Sequence, residues 1–248
     1  MALHIQAHRG ASAELMENTL PAFQRAFEIG VDSVELDIHR TKDGRLVVFH
    51  DEAFNPAYSH GFTGKISDLT LAEIQAVDFL DPRRLKAPNS LSREERKIPA
   101  LEEVLALAAN FRAIVDIEIK LTADPKGLAQ LLLDTIRKHS RIDKVVVRSF
   151  ELGPLSEMRK SNKEIQLAYL TESGVDRFHE VVGEIQPKIW APRFDSLTGA
   201  MVGKIHQKGV QAIPWTVNDP KDWARLITMG VDGMTTDDPA RLKKFDMR

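Results

Sequence analysis

Eight short apolar runs rich in β-branched residues recur along this chain, and stretches with helical periodicity separate them. The runs are His4–Ala7, Ser33–Ile38, Ala113–Ile119, Lys144–Ser149, Gln166–Leu170, Lys188–Ala191, Val210–Thr216 and Gly233–Thr236. Between them, Leu20–Ile29, Leu101–Ala109, Leu128–Lys138, Pro154–Lys160, Thr198–Lys208 and Asp222–Met229 repeat apolar residues at helical spacing, several introduced by Pro, Asp or Thr. Strands that alternate with helices predict a parallel sheet whose faces are covered by those helices. Eight such units in 248 residues suit an α/β TIM (β/α)8 barrel, in which functional residues sit at the C-terminal ends of the strands. A doubly wound open sheet uses the same units, usually fewer of them, and stays open as the alternative.

One interval breaks the rhythm. After the second run, Lys42-Asp43-Gly44-Arg45 reads as a hairpin turn into Leu46-Val47-Val48-Phe49. No ordinary helix then starts until Pro99-Ala100-Leu101, which leaves residues 51–98 as an insertion after the second strand with one short helical piece, Leu71–Val77. Insertions of this length are usually functional or disordered. This one carries Arg83, Arg84 and Lys86, then Arg93 to Lys97 with glutamates interleaved. It reads as either a solvated surface excursion or a lid beside the barrel mouth. No repeat or linker divides the chain, so residues 1–248 are expected to form a single domain with 51–98 inside it.

Bulk composition narrows the partners. A net charge of -2 with 28% charged residues gives no electrostatic case for nucleic acid or an anionic membrane surface. With no cysteine, disulfides and zinc–thiolate sites are excluded. No charged segment followed by an apolar stretch opens the chain, and no apolar run is long enough to span a bilayer, so no membrane insertion and a cytoplasmic location are expected.

Chemistry gathers where runs end. Residues at i and i+2 of a strand share a face, so Glu35 and Asp37 project together, toward the barrel axis if Leu36 and Ile38 pack against the outer helices. Two adjacent carboxylates repel unless a cation lies between them or one is protonated. Glu118 and Lys120 form a second same-face pair in Asp116-Ile117-Glu118-Ile119-Lys120, on the next barrel strand. Three carboxylates without cysteine describe an all-oxygen site suited to one divalent cation, Mg²⁺ or Ca²⁺, rather than zinc. Salt bridges with partners such as Lys120 would explain the same acids.

Of the histidines, His4, His39, His60, His139, His179 and His206 take a structural reading by default. His8 and His50 differ, since each ends an apolar run and precedes a residue able to orient it or a ligand: Arg9-Gly10 after His8, Asp51 after His50. Two such imidazoles could serve as general base and general acid on either side of a phosphodiester. Arg9 offers a fork of donors to phosphate oxygens, and Lys120 a point charge.

The order of these segments is more specific than any one of them. Ala7-His8-Arg9-Gly10, Glu17-Asn18-Thr19-Leu20-Pro21-Ala22-Phe23, Gly30-Val31-Asp32, Glu35-Leu36-Asp37, Thr41-Lys42-Asp43-Gly44 and Val47-Val48-Phe49-His50-Asp51 resemble the signature of the glycerophosphodiester phosphodiesterase family. The likeness continues through Ile98-Pro99-Ala100-Leu101-Glu102-Glu103, Glu118-Ile119-Lys120, Arg148-Ser149-Phe150, Trp215-Thr216-Val217-Asn218 and Gly230-Val231-Asp232-Gly233-Met234-Thr235-Thr236-Asp237. It implies a metal-dependent TIM barrel that hydrolyses a small-molecule glycerophosphodiester to sn-glycerol 3-phosphate and an alcohol. By the same resemblance His8 and His50 are the catalytic acid/base pair, and Arg9, Lys120 and Trp215 bind substrate. Glu35, Asp37 and Glu118 would be the metal ligands, with Glu17 in support.

Asn18 or Thr19 is expected to cap the following helix. Asp237 belongs to a family motif, yet Asp238-Pro239 opening the last helix accounts for that region as a cap. One departure stands out. Many relatives follow His-Asp with Leu-x-Arg-Thr-Thr, where this chain has Phe54-Asn55-Pro56-Ala57-Tyr58-Ser59-His60-Gly61. His60 and Tyr58 are therefore considered as replacements reaching the pocket. A phospholipase D of the sphingomyelinase type, a noncatalytic metabolite-binding barrel and a monoester phosphatase are rival readings.

Overall fold

The computed structural model of the chain describes residues 3–80, 91–120, 124–139 and 142–246. In chain order its elements are β1 (His4–His8), α1 (Leu20–Ile29), β2 (Ser33–Arg40), β3 (Leu46–Val48), β4 (Ala53–Phe54), β5 (Gly64–Lys65) and α2 (Leu71–Ala76). There follow α3 (Leu101–Ala108), β6 (Ile114–Ile119), α4 (Pro125–His139), β7 (Val145–Ser149), α5 (Leu152–Ser161), β8 (Gln166–Thr171) and α6 (Phe178–Ile185). The chain closes with β9 (Ile189–Pro192), α7 (Gly199–His206), β10 (Gln211–Ala212), α8 (Pro220–Met229), β11 (Gly233–Thr236) and α9 (Pro239–Asp246).

The parallel strands run in the order β10-β9-β8-β7-β6-β2-β1-β11. Between β10 and β11 the ring is joined by single hydrogen bonds, from Asp232 N–H to Ala212 O at 3.0 Å, Thr235 N–H to Pro214 O at 3.0 Å and Val217 N–H to Thr235 O at 2.8 Å. The expected barrel is therefore the architecture. The run Val210–Thr216, expected as a full strand, is regular only over Gln211–Ala212. Toward β9 it stays in register, with Ile213 and Trp215 donating to Trp190 O and Pro192 O at 3.0 and 3.1 Å. Toward β11 the donors are missing: the Ala212 N–H is taken by Asp232 Oδ2 at 2.7 Å, and Pro214 has no N–H. The seam lies where the sequence withholds ladder donors.

Strand alternation sorts the side chains. On β2, Val34, Leu36 and Ile38 are buried among the helices in the main core, while Ser33, Glu35 and Asp37 face the lumen. Beneath the mouth a buried polar layer crosses five strands. Arg148 Nε donates to Asp116 Oδ1 at 2.7 Å and its NH2 group donates to Gln6 Oε1 at 2.7 Å; Gln6 Nε2 donates to Asp116 Oδ2 at 2.8 Å and to Ser33 Oγ at 3.0 Å. Thr235 Oγ1 donates to Gln6 Oε1 at 2.7 Å. The lumen beside β8 and β9 is instead apolar, filled by Val146, Ala168, Leu170, Ile189, Ala191 and Ile213.

The insertion builds a second core. β3 pairs antiparallel with β2, β4 with β5, and the short helical piece expected at Leu71–Val77 is α2, with Thr70 and Glu73 forming a capping box. Met16, Val47, Phe49, Phe54, Ile66, Ile74, Phe79 and Ile98 pack together beside the barrel mouth. Arg93 and Arg96 donate to the carbonyls of Ala76 and Phe79 at 2.7 and 3.5 Å, fastening the end of the insertion to its middle. Arg83, Arg84 and Lys86 lie outside the described residues. Among the described residues no helix is long and apolar enough to cross a membrane.

Candidate active site

Both singled-out histidines stand at the C-terminal mouth, each anchored by a carboxylate. His8 ends β1, and its Nδ1 lies 2.7 Å from Asp237 Oδ1. The other oxygen of Asp237 accepts from Asn218 Nδ2 at 2.7 Å, so the carboxylate itself is held. His50 Nδ1 lies 2.7 Å from Asp51 Oδ1. A carboxylate at Nδ1 requires the proton there and leaves Nε2 for the ligand side. His8 Nε2 is 4.0 Å from Glu35 Oε2, and both imidazoles line one cleft of about 260 Å³ together with Arg9, Glu35, Glu118 and Lys120.

β1, β2 and β6 are adjacent, and their register sets His8 opposite Glu35 and Asp37 opposite Glu118. Ligand oxygens of Glu35, Asp37 and Glu118 therefore all fall within 4.8 Å of one another, each residue buried. Burial pushes the Glu35 carboxyl well above its usual range, and the charges of Asp37 and Glu118 push the same way. Glu118 is raised by burial and by Asp37. Burial would raise Asp37 too, but Arg9 and Lys120 outweigh it and hold that carboxyl below the usual range. Lys120 Nζ bridges the acids, 2.7 Å from Asp37 Oδ1 and 2.6 Å from Glu118 Oε1. Asp37 Oδ1 nevertheless lacks an aligned donor. With Glu17 on Arg9, four carboxylates face Arg9 and Lys120 and leave a negative surplus, and with that oxygen they fit a hard divalent cation.

Two left-handed residues organise the Arg9 side of the cleft. Arg9 has φ 57° and Asn18 φ 55°, a conformation that costs roughly 1–2 kcal/mol per residue outside glycine. Asn18 N–H donates to Arg9 O at 3.0 Å, and both side chains converge on one oxygen, Asp37 Oδ2: Asn18 Nδ2 donates at 2.9 Å and Arg9 Nε pairs at 3.1 Å. Glu17 accepts from Arg9 NH1 at 2.8 Å. Gly10 lets the turn form, since at φ 85° a Cβ there would sit 2.7 Å from the Ala22 carbonyl carbon.

Opposite stands an apolar side. Trp215 lines the cleft with Phe150 edge-on to it, centroids 5.4 Å apart, next to Leu170 and Glu172. The remaining histidines behave as structural residues where contacts are described: His4 meets Ser33 Oγ at 2.8 Å, His39 the His50 carbonyl at 3.2 Å, and His206 Asp232 Oδ2 at 2.8 Å. His60 and Tyr58 do not line the cleft. His60 faces Asp78 from the exposed side of the insertion, and Tyr58 packs on the second core.

The expected caps form, at Thr19 for α1 and at Asp238 for α9, where Asp238 Oδ1 accepts from Arg241 N–H at 3.1 Å, but their neighbours do something else. Thr19 caps α1, accepting from Ala22 N–H, but Asn18 is turned inward to Asp37. Asp237 also does more than precede a helix, because β11 aims it at His8. The sequence signal for both was their place in the motifs.

Compared with known proteins, residues 8–241 match the model of the glycerophosphoryl diester phosphodiesterase family. The chain belongs to that family. With it the expected enzyme class, a glycerophosphodiester phosphodiesterase, holds. A glycerophosphodiester phosphodiesterase of Caldanaerobacter subterraneus subsp. tengcongensis is 34% identical over 238 residues, 95% of this chain and 94% of that one. The solved structure of the Thermotoga maritima enzyme superposes with a TM-score of 0.77 at 28% identity, covering 100% of this chain and 99% of that one. The Oleispira antarctica phosphodiesterase, solved with the product sn-glycerol-3-phosphate, shares the fold at a TM-score of 0.87 and 21% identity, covering 100% and 98%.

Proposed function

We propose that this chain hydrolyses glycerophosphodiesters to sn-glycerol 3-phosphate and an alcohol, with His8 and His50 as the acid/base pair and a divalent cation held by Glu35, Asp37 and Glu118. The observation that carries this reading is the pairing of two carboxylate-anchored imidazoles with a buried three-carboxylate cluster in one cleft. The family membership and the product bound to the Oleispira antarctica phosphodiesterase support it.

The reaction follows from these side chains. The diester lies between the imidazoles, with Arg9 and Lys120 facing its nonbridging oxygens. Attack on phosphorus proceeds in line. One Nε2 removes a proton from the nucleophile, and the other donates a proton to the departing alkoxide. Asp237 and Asp51 stabilise whichever imidazolium forms and keep each ring oriented. A Mg²⁺ or Ca²⁺ held by Glu35, Asp37 and Glu118 would supply Lewis-acid stabilisation of the charge that develops on the phosphate. Arg9 and Lys120 exchange part of their pairing with Glu17, Asp37 and Glu118 for phosphate. Trp215 bounds the substrate on the far side, and the segment 51–98 acts as a lid within a single domain. A cytoplasmic location belongs to the same proposal and is checked by fractionating cells that express the chain.

Release of glycerol 3-phosphate from glycerophosphocholine tests the whole. His8→Ala and His50→Ala each lose activity by about 10²–10⁴-fold. EDTA abolishes turnover, and Mg²⁺ or Ca²⁺ restores it. Near wild-type turnover in either variant, or in EDTA, overturns the corresponding assignment, and faster phosphate release from glycerol 3-phosphate than diester cleavage would favour a monoester phosphatase.

A further inference from the structure

The cleft has a second side that the steps above leave without a chemical task. Around the ring, the charged set stands on β1, β2 and β6, whereas Phe150, Leu170, Glu172 and Trp215 enter from the ends of β7, β8 and β10. The Trp215 indole N–H donates to Ala191 O at 2.8 Å. Its only donor is therefore engaged, and what it offers a ligand is its π surface. Phe150 stands at 89° to that ring, and Leu170 adds only hydrocarbon. Arg148, deeper on β7, is neutralised by Asp116.

Glu172 adds charge at the rim. Its carboxylate pairs with Arg193 at 3.1 Å, and the same guanidinium is 2.7 Å from Asp195. Two carboxylates sharing one guanidinium leave a net negative charge beside the aromatic pair. Across the cleft, the three buried carboxylates and Glu17 would be balanced by Arg9, Lys120 and a divalent cation. The surplus negative charge of the cleft thus lies beyond the aromatic rings, on the Glu172 side.

We propose that Phe150, Trp215 and Glu172 form a subsite for a cationic amino-alcohol leaving group, so that the chain prefers zwitterionic glycerophosphodiesters to those with neutral polyol headgroups. This inference rests on the phosphodiesterase reading above. An ammonium gains from the aromatic faces and from the Glu172 charge. A polyol placed there gives up water for Phe150, Leu170 and Trp215, none of which returns a hydrogen bond, regains one only where a hydroxyl reaches Glu172, and lacks the charge attraction of an ammonium.

The test compares glycerophosphocholine with its neutral isostere, in which a quaternary carbon replaces the nitrogen. Wild-type kcat/KM favours the choline ester by about tenfold, mostly through KM. Glu172 has a side chain 60% exposed, so Glu172→Gln folds normally, and it narrows the preference to about threefold by raising KM for the choline ester alone. Trp215→Leu narrows it as well, with melting temperature recorded beside it. Equal kcat/KM for the two esters in the wild type, or a Glu172→Gln variant that slows both alike, overturns the subsite. Failure to cleave either ester overturns the phosphodiesterase reading instead.

Discussion

His8, proposed above as one half of the acid/base pair, shows how little of its own behaviour a side chain decides. Its ring is oriented by Asp237, which is oriented by Asn218, so three strand ends must be in place before one imidazole is. Asp237→Asn keeps the shape but can present its amide N–H to Nδ1, which moves the imidazole proton to Nε2 and removes the base or acid function there. We expect kcat on glycerophosphocholine to fall by about 10²–10⁴-fold, while the urea midpoint moves little. An equal loss of stability and rate would make Asp237 a fold residue only. His8, His50, Glu35, Asp37 and Glu118 were legible in the sequence because each ends or lies within an apolar run of defined period. A cap at Asn18 or Thr19 and another at Asp238-Pro239 explained those segments locally, and Thr19 and Asp238 do accept from the first turns of α1 and α9. No local signal therefore pointed to the inward contacts of Asn18 and Asp237. Their contacts, with Asp37 and His8, span 19 and 229 residues of chain, a separation no local pattern carries.

At the scale of elements, period and punctuation located most strands, and misjudged length where hydrogen bonding decided it. β10 is the clear case, its apolar run continuing past the point where Pro214 and the Asp232 side chain end the ladder toward β11. α6 is obscured by Val181, Val182 and Gly183, all poor helix formers, and is fixed by burial of Phe178, Val181 and Ile185. The turn from β1 into α1 is more sharply specified than either. Gly10 and Gly30 both have positive φ, 85° and 76°, but a Cβ at Gly10 meets the backbone of Ala22 at 2.7 Å while one at Gly30 meets only Lys243 Nζ at 2.8 Å. A flexible ammonium moves aside, and a helix backbone does not. Gly30→Ala should therefore cost about 1 kcal/mol, the strain of a left-handed alanine, and Gly10→Ala at least about 3 kcal/mol, with activity lost as Arg9 shifts. Urea unfolding of both variants checks this, and equal losses would mean that the Ala22 contact relaxes without penalty.

For the molecule as a whole, the lumen is not a uniform hydrophobic core. Its polar layer joins β1, β2, β6, β7 and β11 through Gln6, Ser33, Asp116, Arg148 and Thr235, all nearly inaccessible. His4 sits at the lower edge of this layer, with Nε2 2.8 Å from Ser33 Oγ. Burial lowers its pKa below the ordinary 6.5; Arg148 lowers it further, while Asp32 and Asp116 pull the other way. The consequence for stability has a definite sign. As pH falls through 6.5, His4 of the unfolded chain takes up a proton while His4 of the folded chain stays neutral, so the unfolded state binds more protons and unfolding becomes easier. The contribution of His4 is thus present above the unfolded value and is lost as pH falls below it, levelling off under the depressed folded value. His39, also lowered by burial, acts in the same direction, so the clean measurement is a difference. Urea unfolding of wild type and His4→Gln across pH 5 to 8 should give curves whose separation depends on pH, with the wild type losing relatively more stability on the acid side. A separation constant across that range would show that His4 titrates alike in both states, and that the polar layer holds it by packing alone.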